Sequence, residues 1–208
     1  MSRLSTGVLL LALLCALSYP PSRAGATEMS SLYLRVRISP AQYEKWLDSP
    51  MRRMEEYTDW NQMTDQWEEG WKEHYYHVDF RTVRELVESI RKEAASKGDG
   101  WTSPPFYDYD AESGTLTYAQ LLFDENFINY MIYLAALRSL ADFKDTDGPD
   151  FVVIYPYLWD PGCDVIMEIS RNKTAFYQEN TAPPDFAAFK AAADIHFAKE
   201  LENNTPRE

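Results

Sequence analysis

The chain has 208 residues, 45% of them apolar and 25% charged, ordinary globular values that exclude wholesale disorder and collagen-like repetition. Acids outnumber bases by 33 to 20, a formal charge of −13; this argues against a nucleic-acid binder, because phosphate neutralisation needs a Lys/Arg surface. Two cysteines cannot build a disulfide scaffold.

Residues 1–26 read as an address. Arg3 supplies a positive start, residues 8–17 form an apolar core, and Ala24-Gly25-Ala26 offers the small residues a signal peptidase reads. The apolar run is shorter than the roughly 20 residues a membrane span needs, and no later run is long and apolar enough. A lipoprotein anchored through Cys15 is the competing reading, but Leu14 stands where its peptidase wants a small residue. Cleavage after Ala26 removes two arginines and no acid, so residues 27–208 are more acidic still. It also leaves Cys163 alone, which implies an exported body without an internal disulfide. The expected location is periplasmic or secreted.

Residues 32–38 alternate apolar and polar, predicting a half-buried strand. Ser39-Pro40 opens a short helix, with Ser39 as N-cap and Tyr43, Trp46 and Leu47 on one face. Ser49-Pro50 ends it. From Met51 to Tyr76, Tyr57, Trp60, Met63, Trp67, Trp71 and Tyr75 recur every three or four residues among many acids, predicting one or two amphipathic helices with an aromatic stripe. Asp79 is placed to cap the next helix, whose buried face is Phe80, Val83, Leu86, Val87 and Ile90, and Gly98 ends it. Residues 106–110 and 115–123 read as a hairpin about the turn 111–114. Asp124 or Asn126 caps a long buried helix running to about Phe143. Residues 151–155 form a buried strand, 165–169 and 174–177 two more, and Asp185 caps a last helix carrying Phe186, Phe189, Ala193 and Phe197 on one side.

The order is strand, helices, hairpin, helix, meander and helix, on a β-α-β-β-α-β spine. It predicts a single α+β domain over residues 27–208, an antiparallel sheet with helices on one face in the ferredoxin-like manner, a helical insertion at about 51–98 and a C-terminal helix.

Motifs that carry chemistry are weak. His74 and His77 share a helical face but lack the spacing that adds a catalytic base, so structural histidines are expected. Residues 145–150 resemble a calcium loop until the spacing is checked: Gly148 falls fourth and Pro156 twelfth, where an EF-hand needs Gly sixth and Glu twelfth. Asp108 and Asp110 share one side of a strand, and solvation of the hairpin is their expected role. Cys163 has Asp160 and Asp164 as neighbours, which should raise its pKa and quieten the thiol. No Gly-rich phosphate loop or Gly-x-Ser-x-Gly elbow is present. No cofactor or metal is expected, and an enzyme is disfavoured.

The surplus of acids and of Trp and Tyr (6 and 14 residues) points instead to recognition, because these rings suit interfaces and an acidic face steers toward a basic partner. The expected contact surface is Trp60, Asp65, Trp67, Glu68, Glu69 and Trp71 on the stripe, with Asp108, Asp110 and Glu112 on the hairpin. In general build, an exported acidic α+β domain is similar to bacterial immunity proteins, which neutralise a basic toxin or enzyme; no motif carries that similarity further. The alternative is an envelope hydrolase that cuts glycan or peptide with a carboxylate pair and an aromatic platform.

Overall fold

The structure is a computed structural model and describes residues 30–62, 80–95, 104–124, 127–155 and 164–204. It is an α+β fold built on one six-stranded antiparallel sheet in the order β2-β3-β1-β4-β5-β6. In chain order the elements are β1 (Ser30–Arg37), α1 (Pro40–Leu47), α2 (Val83–Ala94), β2 (Phe106–Asp110), β3 (Thr115–Asp124), α3 (Phe127–Arg138), the short α4 (Leu140–Phe143), β4 (Asp150–Tyr155), β5 (Val165–Ser170), β6 (Lys173–Gln178) and α5 (Phe186–Asn204). Among the described residues no helix is long and apolar enough to cross a membrane.

Both faces of the sheet are covered at its centre. On one, Leu32, Leu34, Val36, Val152 and Ile154 pack with α1 to α4 and with the segment after α1. On the other, Tyr33, Phe151, Val153 and Tyr155 pack under α5 through Phe186, Ala193 and Phe197. Strand residues alternate between faces, so covering both buries consecutive positions. Every residue of β4 is therefore buried, and β1 is buried from Ser31 to Leu34 rather than on one side only. Helices thus lie on two faces, not one. The cover from α5 stops short of the end of β1, where Arg35 and Arg37 emerge.

Three local expectations change. Residues 51–62 hold two single 3₁₀ turns, Met54–Glu56 and Trp60–Gln62, instead of an amphipathic helix. Pro50 pairs in an isolated bridge with Thr82, which bends the chain back before a helix can start. The N-cap of α2 is Thr82, whose Oγ1 accepts from the Glu85 amide, and the expected cap Asp79 lies outside the described residues. Ser39 precedes α1 but caps nothing with its side chain; its hydroxyl donates to the Asp145 carboxylate instead. The long helix is interrupted at Ser139, whose hydroxyl donates back to the Ala136 carbonyl while accepting from the Trp46 indole.

The hairpin forms as expected. Gly114 sits at φ +62°, and a Cβ there would stand 3.0 Å from the Ile38 carbonyl oxygen, so the turn needs glycine for both conformation and space.

Candidate functional site

The expected contact residues divide. Trp60 is fully buried, edge-on to Tyr57, and its indole N–H donates to the Met54 carbonyl at 2.8 Å. It belongs to the core and offers no surface to a partner. The 3₁₀ turn directs its ring inward, so this member of the aromatic stripe is core. Asp65, Trp67, Glu68, Glu69 and Trp71 lie outside the described residues, as do His74, His77 and Cys163.

Asp108, Asp110 and Glu112 are all exposed on the hairpin. Asp110 works within it, accepting from the Glu112 amide at 2.9 Å and the Ser113 hydroxyl at 2.7 Å. The Ser113 hydroxyl and these amides hold its carboxyl below the ordinary range. Asp108 and Glu112 make no ion pair among the described residues. Phe106, on the same side of β2 as Asp108, is a large apolar ring left 41% exposed.

The ion pairs show where the acid surplus goes. Arg52 is held at 2.7 Å by both Glu56 and Asp142. Arg84 is held at 2.8 Å by both Glu44 and Asp48. Lys190 serves Asp164 at 2.9 Å and Asp194 at 3.6 Å. Each of these three cations is shared by two carboxylates. Asp150 reverses the ratio. Its carboxylate accepts from the buried Lys144 ammonium and also from Arg37 Nε at 2.9 Å and the Arg37 amide at 3.1 Å. The loop 145–150 is therefore tied by the chain's own groups: Asp145 to Ser39, Thr146 to the Arg37 carbonyl, Asp150 to Lys144 and Arg37. Among the described residues no group of three or more potential metal ligands forms.

Arg138, at the end of α3, was not a sequence candidate. Its guanidinium is buried, 4.0 Å from the Tyr57 ring centre, 4.6 Å from Trp60 and 5.0 Å from Phe176. It also donates to Thr174 Oγ1 and lies 2.8 Å from Asp59. Burial pushes the Tyr57 phenol up to about 12, against the pull of Arg138. The box closes the floor of a polar cleft of about 210 Å³ whose mouth carries Arg52, Glu56, Asp142 and Lys173. Burial opposes ionisation of Glu56, but hydrogen bonds from the Arg53 amide and Arg52 outweigh it and hold the carboxyl low. A carboxyl held low is a poor general acid.

No family model, curated protein or solved structure matches the chain.

On α5, His196 and Glu200 approach to 3.4 Å, each with a buried polar atom that has no hydrogen-bond partner among the described residues. Burial lowers the imidazole pKa and raises the carboxyl pKa, so the pair tends toward its uncharged form. Beyond the N-terminal part of α5 a larger groove of about 530 Å³ opens, floored by Arg35, Arg37 and Phe151 and walled by Phe189 and Ala192.

Proposed function

We propose that the mature chain is an exported, acidic module that binds a protein with a basic surface, in the manner of a periplasmic immunity or inhibitor protein. The observation that carries this reading is the ion-pair ratio. Arg52, Arg84 and Lys190 are each claimed by two carboxylates, so the acid surplus is carried outward instead of being cancelled within the fold. Asp108 and Glu112 add exposed acids that make no ion pair among the described residues, and Asp108 shares its side of β2 with the exposed ring of Phe106. Such a face attracts a basic partner over about a Debye length and speeds encounter.

We further infer that the first four strands follow a ferredoxin-like plan. The order β2-β3-β1-β4 supports it: β3 lies antiparallel between β1 and β2, with helices after β1 and β3. The β5-β6 hairpin and α5 would be additions to that plan. Export itself rests on residues 1–26, which lie outside the described residues.

The test is affinity capture from the source cell's periplasmic and secreted proteins, with wild type and an Asp108→Lys/Glu112→Lys variant as baits. The expected catch is a basic protein, retained by wild type and lost from the variant at equal folding. A neutral or acidic catch held equally by both baits, or no catch, contradicts the reading.

A further inference from the structure

The groove beyond α5 is lined by two arginines, Arg35 and Arg37, and by three acids, Asp147, Asp150 and Asp185. Its floor is the sheet surface that α5 leaves uncovered, where β1 presents Arg35 and Arg37 on the same side. Arg37 is committed. Its Nε binds Asp150, and its Nη2 donates to the carbonyls of Asp147 and Pro149 at 3.3 and 3.4 Å. Gly148 fits against that strap, since a Cβ there would meet Nη2 at 3.3 Å and its φ is +83°. Arg35 is exposed and has no ion pair or hydrogen bond among the described residues. Across the sheet it faces Thr117 on β3 and Phe151 on β4, neither of which can neutralise it.

The charge balance follows from these contacts. One carboxylate, Asp150, answers two cations, Lys144 and Arg37. Arg35 adds a further positive charge. Asp147 and Asp185 also line the groove, but Asp147 lies against Arg171 at 3.4 Å. Among the described residues Arg35 is therefore the groove cation not committed to an acid. The opposite wall is apolar: Phe189 stacks at a tilt on Phe151, their centres 5.6 Å apart, with Ala188 and Ala192 beside them.

We propose that this groove binds a small organic monoanion, a carboxylate or sulfonate joined to an aromatic or alkyl body. The anion lies on the Arg35 guanidinium, whose fork of N–H donors matches a carboxylate. The body lies on Phe151 and Phe189 and displaces water from them. A doubly charged or purely polar anion fits less well, because Asp185 repels the second charge and the wall offers no partner for it. The groove takes in Thr115 of β3, and Asp108 lies on the same sheet face two strands from Arg35, but the proposal does not depend on the protein-binding reading.

The full chain is titrated with 3-phenylpropionate, followed by calorimetry and by amide chemical shifts. Two control ligands divide the molecule: 3-phenylpropanol keeps the ring without the charge, and acetate keeps the charge without the ring. Saturable binding of 3-phenylpropionate is expected, with shifts at Arg35, Phe151 and Phe189, and the two controls at least about tenfold weaker, as the loss of a charge-assisted pair or of a buried ring implies. Arg35→Gln should weaken 3-phenylpropionate by about tenfold and leave 3-phenylpropanol unchanged. Ala192→Leu, which fills the wall from a partly exposed position, should weaken both ring-bearing ligands. Equal affinity for 3-phenylpropionate and 3-phenylpropanol overturns the proposal. So does binding indifferent to Arg35→Gln, or no saturable binding to the folded wild type.

Discussion

Arg138 and Lys144 are both enclosed, and the fold neutralises them by different means. Arg138 lies among three aromatic rings, bonds Thr174 and meets one acid, Asp59, that keeps 27% of its side chain exposed. Lys144, with no side-chain exposure, rests on Asp150, itself 9% exposed, and on the Thr146 hydroxyl. The contrast follows from the two head groups. A guanidinium is flat, weakly hydrated and stacks on rings, so aromatic surface replaces part of its solvation. An ammonium is compact and strongly hydrated, and only a buried carboxylate compensates for its transfer.

Removal of the acids should separate the two cases. Asp150→Ala strands a buried ammonium and is expected to cost about 3–5 kcal/mol. Asp59→Ala leaves the ring contacts of Arg138 intact and is expected to cost only about 1–2 kcal/mol. Urea titrations of both variants read the difference, and equal losses would erase the distinction. Arg138→Lys sharpens it further. The replacement keeps the charge but loses the flat stacking surface, with an expected loss of roughly 2 kcal/mol and release of the 51–62 segment to proteolysis.

Smaller effects come from the hairpin and from α5. Asp110→Ala removes bonds to the Glu112 amide and the Ser113 hydroxyl, and should lower the melting temperature slightly without altering the sheet. Glu200→Gln tests the third enclosed pair through its pH dependence. Burial raises the folded carboxyl pKa, so the unfolded chain ionises first, near 4.3, and wild type loses stability as pH rises from there through the folded value. Glutamine has no such loss. The variant should therefore melt higher than wild type at pH 7, and the two should converge near pH 4.

The sheet and α5 were legible in the sequence because their signals are local. Alternation marks 32–38, the turn 111–114 punctuates the hairpin, and Phe186, Phe189, Ala193 and Phe197 recur on one helical face. The segment 51–62 was not legible. Its aromatic spacing fits a helix, but Pro50 pairing with Thr82 and the pull of Arg138 on Tyr57 and Trp60 fold it into 3₁₀ turns. Those are contacts across long sequence separations, and periodicity carries no trace of them. The groove was hidden for the same reason. Arg35 and Arg37 read as the solvent side of a strand, and only the length of the α5 cover decides that they floor a cavity. The hairpin acids were visible as a cluster, and their lack of cations required the ion-pair geometry.

The central claim is that an uncancelled acidic face captures a basic partner, and the most direct measurement is the association rate with the captured protein as a function of ionic strength. Between about 0.05 and 0.5 M salt the rate should fall at least about tenfold while dissociation changes little, and Asp108→Lys/Glu112→Lys should flatten that slope. A rate indifferent both to salt and to the hairpin reversal would contradict the claim.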